Sequence, residues 1–121
     1  MYSETLLDHF HNPRNVGEIA EASVIVEASN PVCGDVMKLW AIIREGKIVD
    51  VKFKAAGCVP SVACGSWLME AILSKSLEEL SVLTPDQVIS ALEGLPPASH
   101  HAAVLAVDAL QRLLRKVHKT S

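Results

Sequence analysis

The chain has 121 residues, half of them apolar and 21% charged, with a mean hydropathy of +0.28. That composition fits one domain over residues 1–121 with a buried core, and it excludes intrinsic disorder. Aromatics are only 4%, so the core must be aliphatic, and a net charge of −3 with a pI near 5.9 excludes the basic footprint of a nucleic-acid binder.

In chain order, residues 3–10 predict a short helix that ends at Asn12-Pro13. Three strands follow. Residues 23–28 read as a strand from Val24, Ile25 and Val26, and residues 36–44 are rich in apolar side chains. Residues 48–55 alternate, with Val49, Val51, Phe53 and Ala55 on one face and Asp50, Lys52 and Lys54 on the other. Glu45-Gly46-Lys47 makes the turn between the last two, with Gly46 able to take a positive φ.

The second half predicts helices. Residues 61–75 carry an apolar face at Cys64, Trp67, Leu68, Ala71 and Ile72. Two capping boxes open short helices: Ser76 with Glu79, and Thr84 with Gln87, the latter with Pro85 at the first helical position. Gly94-Leu95-Pro96-Pro97 breaks the chain. A last helix over residues 99–117 aligns His101, Leu105, Ala109, Leu113 and Val117 in one row. Strands first and helices second predict an α+β domain, a three-stranded antiparallel sheet with helices packed on one face.

Three cysteines cannot all pair within one chain. No apolar run approaches the ~18 residues of a membrane span, and the acidic, polar start is unlike a secretory signal. A reduced, cytoplasmic setting follows, in which cysteines serve as metal ligands or reactive thiols.

The hairpin predicts which residues meet. A two-residue turn extrapolates to Cys33 facing Cys58, a three-residue turn to Cys33 one position beside it, and facing Cα atoms lie roughly 4.5–5.5 Å apart. Asp35 follows Cys33 by two and shares its side of an extended chain. Gly34 between them allows close backbone approach. Cys58 sits where strand becomes helix, an end whose dipole suits a thiolate. Two thiolates and a carboxylate suit zinc or iron. A fourth ligand is supplied by His101 or His100, just after Pro96-Pro97.

Other readings stay open. Cys33 and Cys58 also read as small buried hydrophobes, while a disulfide between them is disfavoured by the reduced setting and the adjacent Asp35. Cys58 with His101 as base also reads as a thiol nucleophile. Cys64 lies on the apolar face of its helix and reads as core, with a spare thiol near Cys58 as the alternative. His9 and His11 read as solvated.

These residues lie in motifs that resemble the IscU / NifU N-terminal family of iron–sulfur cluster assembly scaffolds. Tyr2-Ser3-Glu4 and Asn12-Pro13-Arg14-Asn15-Val16-Gly17 are similar to the family's opening, Cys33-Gly34-Asp35-Val36-Met37-Lys38-Leu39 to its first ligand motif, and Phe53-Lys54 through Gly57-Cys58 to its second. Leu95-Pro96-Pro97, Leu105-Ala106 and Asp108-Ala109 resemble the third region, and the insertion of the related SufU type is absent.

The resemblance implies three antiparallel strands packed by helices. It also implies a non-enzymatic scaffold that binds iron and a nascent [2Fe–2S] cluster at Cys33, Asp35, Cys58 and His101, with Asp35 governing how readily the cluster leaves. It implies a cysteine desulfurase and cluster-recipient proteins as partners. The chain departs from the pattern in three places. Ala102 stands where the family has its third cysteine, a ligand and persulfide-accepting thiol. Cys64 stands at a usual serine. Ala98-Ser99 replace the end of a Leu-Pro-Pro-Val-Lys chaperone signal, which argues against recognition by a dedicated chaperone. The departures leave two functional readings: a cluster scaffold in which Cys64 stands in as sulfur acceptor, or a zinc-binding paralogue that assembles nothing and docks on a desulfurase or scaffold.

Overall fold

A computed structural model of the protein describes residues 2–31 and 34–120. The elements run α1 (Glu4–His11), β1 (Val24–Asn30), β2 (Asp35–Arg44), β3 (Lys47–Ala56), α2 (Val59–Ser74), α3 (Leu77–Ser81), α4 (Pro85–Ala91), a 3₁₀ turn (Pro97–Ser99) and α5 (His100–Thr120). The strands form one antiparallel sheet in the order β1-β2-β3. Among the described residues, no helix is long and apolar enough to cross a membrane.

The sheet buries one face under α2 and α5. Val24, Val26 and Ala28 of β1 point inward at period two, as do Met37, Leu39 and Ala41 of β2 and Val51 and Phe53 of β3. Leu68 and Met69 of α2 and Ala106, Leu110 and Leu113 of α5 meet them, so the core is aliphatic around a single phenylalanine. Gly65 of α2 is the point of closest approach. A Cβ there would lie 2.6 Å from Phe53 Cδ2 and nearer still to Cε2, so only glycine admits the ring. Both capping boxes form, each side chain accepting from the N3 backbone and each N3 side chain reaching back.

The outer edge of β3 is covered. Gly17 N–H donates to Phe53 O and Phe53 N–H to Asn15 O, so Asn15–Gly17 lies beside β3 as a short bridge and leaves less edge exposed. Thr5 and Ser3 tie α1 to the end of α4, through Glu93 and the Leu92 carbonyl.

The β2–β3 connection corrects the simple alternation. Its turn has two residues, Glu45 and Gly46, and both take positive φ (53° and 73°), as a hairpin that follows the strand twist requires. Arg44 pairs with Lys47 and Ile43 with Ile48, but Ile42 pairs with Asp50. Val49 is therefore the extra residue of a bulge, half exposed and not on the buried face predicted for it, while Ile43 and Ile48 pack against the core. Beyond the bulge the register is the one a three-residue turn would have set.

Helix α2 begins at Val59, two residues before the sequence prediction, because Pro60 is tolerated in a first turn. His9 is also corrected. It is buried, with Nδ1 2.7 Å from Ser66 Oγ and Nε2 3.4 Å from Glu70, because α1 packs its last turn onto α2.

Candidate metal centre

Asp35 opens β2, Cys58 caps α2 and His101 lies in the first turn of α5. One ligand atom from each lies within 4.8 Å of the other two. Local structure explains each placement. One step past the last ladder pair, Val36 with Ala56, Asp35 comes over Gly57. Gly57 has φ +142°, and a Cβ there would stand 2.5 Å from Asp35 Cγ and closer still to Oδ1, so the missing side chain is the space the carboxylate occupies.

Cys58 is the N-cap of α2, but its sulfur makes no cap hydrogen bond. An N-cap side chain ordinarily accepts from the backbone N–H of the second or third helical residue. Here the second is Pro60, which has none, and the Ser61 N–H donates to the Cys58 carbonyl at 3.1 Å. The sulfur is left for the site.

His101 Nδ1 lies 3.0 Å from the Ala98 carbonyl, an acceptor, so Nδ1 carries its proton and Nε2 faces the site. Metal-binding histidines are held in this way. Nε2 is 3.3 Å from Asp35 Oδ2 and 3.8 Å from Cys58 Sγ. A bare imidazole nitrogen and a carboxylate oxygen repel at that separation unless a proton or a metal ion lies between them.

Asp35 is 5% exposed. Burial pushes its carboxyl up, but hydrogen bonds from Ser61 and Cys58, together with the His101 ring, outweigh burial and hold it below the ordinary carboxylate value. All three neighbours converge on Oδ2: Ser61 Oγ at 2.7 Å, Cys58 Sγ at 3.3 Å and His101 Nε2 at 3.3 Å. Thiol, imidazole and carboxylate together form a donor set suited to iron or zinc. A groove of about 370 Å³, lined by Ser29, Asn30, Pro31, His101, Val104 and Asp108, opens beside His101.

The sequence profile of the family described as NifU-like N terminal domain matches residues 1–120. The chain belongs to that family. It is 42% identical over 114 residues to a protein of Archaeoglobus fulgidus named iron-sulfur cluster assembly scaffold protein IscU 1, covering 94% of this chain and 74% of that one. It is 40% identical over 114 residues to a protein of Escherichia coli K12 named iron-sulfur cluster assembly scaffold protein IscU, covering 91% and 88%. A NifU-like N-terminal protein from Brucella abortus shares the fold at TM-score 0.79 and 17% identity, over 98% of this chain and 95% of that one. FiSufU from Fervidobacterium islandicum matches at TM-score 0.74 and 25% identity, over 92% and 94%.

Within this NifU-like domain, the structure brings Asp35, Cys58 and His101 together. Cys33 lies outside the described residues. The two auxiliary candidates stand apart. His100 Nε2 turns to the Leu95 carbonyl at 3.0 Å. Cys64 is fully buried among core side chains, where burial, with a smaller contribution from Cys58, pushes its thiol up to about 12. That corrects the stand-in role for Cys64, since an enclosed, protonated thiol is a poor acceptor of sulfur. Cys58 and Cys64 are both free thiols.

Gly34 takes φ +76°, the left-handed turn conformation that favours glycine, with open space around it. Sequence reasoning missed Gly57 and Ser61. The available signal for Ser61 was its spacing of three from Cys58 on a first helical turn.

Proposed function

We propose that this chain is a scaffold, not an enzyme, on which an iron–sulfur cluster is built and from which it is passed on. Asp35, Cys58 and His101 hold iron and the nascent [2Fe–2S] cluster, with Cys33 as the further thiolate. The observation that carries the reading is the convergence of one sulfur, one nitrogen and one oxygen within 4.8 Å. The family and the names of its relatives agree with it.

The chemistry suits a transient cargo. Thiolate and imidazole hold iron firmly, whereas a carboxylate oxygen is the harder and weaker donor, so Asp35 is the arm that opens first. Partial exposure of Cys58 and His101 leaves the cargo within reach of a donor and a recipient. A cysteine desulfurase supplies the sulfur, cluster-recipient proteins take the product, and a reducing, cytoplasmic setting suits thiolate ligands of this kind.

Anaerobic incubation with ferrous iron and sulfide tests this. Visible sulfur-to-iron charge-transfer bands are expected in the wild type and in Cys64→Ala, and their loss in Cys58→Ala and His101→Ala. No bands at stoichiometric iron would overturn the reading.

A second reading has one observation in its favour. Ala102 is fully buried where the resemblance places a third cysteine, so the position that follows His101 in the chain carries no thiol. A closed zinc site of Cys33, Asp35, Cys58 and His101, on a paralogue that docks and assembles nothing, fits that loss. It predicts one zinc per chain, no cluster in any condition, and lower thermal stability after chelation.

A further inference from the structure

Ser61 is fully buried, yet its hydroxyl lies inside the site. Its Oγ–H donates to Asp35 Oδ2 at 2.7 Å, and its oxygen is 3.3 Å from Cys58 Sγ. Against the same carboxylate, the bare backbone of Gly57 leaves no room for a Cβ. The carboxylate is therefore packed onto bare backbone and held there by one strong hydrogen bond.

The three partners of Oδ2 differ in what happens when a metal enters. Cys58 gives up its proton to ligate, and His101 turns its Nε2 lone pair to the metal, so neither donates to Asp35 afterwards. Ser61 is not displaced. Its hydroxyl is the one donor to Oδ2 that persists in both states, and it aims the remaining lone pairs of the carboxylate at the point where sulfur and imidazole converge. It also costs nothing in solvent reorganisation, because the hydroxyl is already dry.

We propose that Ser61 is a positioning residue for the metal centre, acting through Asp35: its hydroxyl holds the carboxylate in ligand geometry and thereby sets how tightly the site grips its ion. This rests on the site reading above, but it does not require that a cluster be assembled. Partners of ligating carboxylates contribute about 10–100-fold to metal affinity. They do so by removing the search for the correct rotamer, which here is a single hydrogen bond deep.

The test is an anaerobic Co²⁺ titration of the full chain, followed by its absorption spectrum, with folding checked by circular dichroism. Ser61→Ala is expected to weaken Co²⁺ binding about 10–100-fold. It should keep the sulfur-to-cobalt charge-transfer band, because Cys58 is still there to ligate. Ser61→Thr, which restores a hydroxyl, is expected to recover most of the affinity, and Ser61→Gly, a second hydroxyl-free variant, to match Ser61→Ala. In an Asp35→Ala background, Ser61→Ala is expected to change affinity by less than about threefold, since a residue that works through a partner loses its effect with that partner.

Wild-type affinity in Ser61→Ala would overturn the proposal. So would an equal loss in both backgrounds, or a wild type that takes up no Co²⁺. A wild type that binds Co²⁺ with the Ser61 dependence but forms no cluster with iron and sulfide would sink the scaffold reading and leave this one standing.

Discussion

Gly57→Ala is the sharpest perturbation of the site that leaves every ligand in place. The new methyl would stand 2.5 Å from Asp35 Cγ, 3.1 Å from its Cβ and closer still to Oδ1. Carbon atoms rest about 3.5 Å apart or more, so the carboxylate must retreat by about 1 Å. That retreat breaks the 2.7 Å bond from Ser61, and a buried polar group losing its partner costs about 1–3 kcal/mol. Alanine at φ +142° adds backbone strain of about 1–3 kcal/mol. Together the variant should lose about 2–6 kcal/mol of stability, read as a lower urea midpoint by tryptophan fluorescence. Co²⁺ binding should weaken with it. The decisive control is Gly57→Ala with Asp35→Ala. Most of the clash is gone there while the strain stays, so the double variant should be more stable than the summed penalties by about 1–3 kcal/mol. Penalties that add within about 0.5 kcal/mol would refute the contact between the two positions.

Three further outcomes follow from the packing and the titrating groups. Gly65→Ala gains about 1 kcal/mol of helix propensity, but it drives a methyl into Phe53, and overpacking costs about 1–3 kcal/mol, so the urea midpoint should fall or at best hold. For His9, burial and then Arg14 push the ring below its ordinary value of 6.5, against a smaller upward pull from Glu70 and Asp8. The folded state thus binds fewer protons than the unfolded one; stability is complete above pH 6.5 and declines as pH falls below it. His9→Gln should flatten that slope in urea titrations between pH 7.5 and 5.5. Cys64, enclosed and with its thiol pushed up to about 12, should resist iodoacetamide at pH 8 in the native protein and react in urea, as read by peptide mass. Ready native labelling of Cys64 would show that α2 does not pack as described.

Local chemistry was legible from the residues alone. Period-two alternation marked Val51 and Phe53 as inward, the two capping boxes marked the starts of α3 and α4, and Cys58 stood at a strand–helix junction before any coordinate was known. Each of these signals spans fewer than about ten residues, the range over which backbone periodicity and side-chain capping act. The aliphatic core also followed from composition, since there was little aromatic surface to build one otherwise.

Tertiary structure decided what depends on distant partners. The bulge at Val49 shifted the register and brought Asp35 over Gly57, and no local pattern announces an extra residue in a ladder. His9 became a buried partner of Ser66 because α1 docks on α2, and Cys64 became inert because the sheet and helices close over it. Asp35, Cys58 and His101 were each visible as chemistry in the sequence. Turn geometry already drew the Asp35 segment toward Cys58. That His101 and not His100 joins them within 4.8 Å, with Ser61 holding the carboxylate there, was decided only when β2, α2 and α5 packed together, because contact between residues so far apart along the chain is a property of the assembled fold.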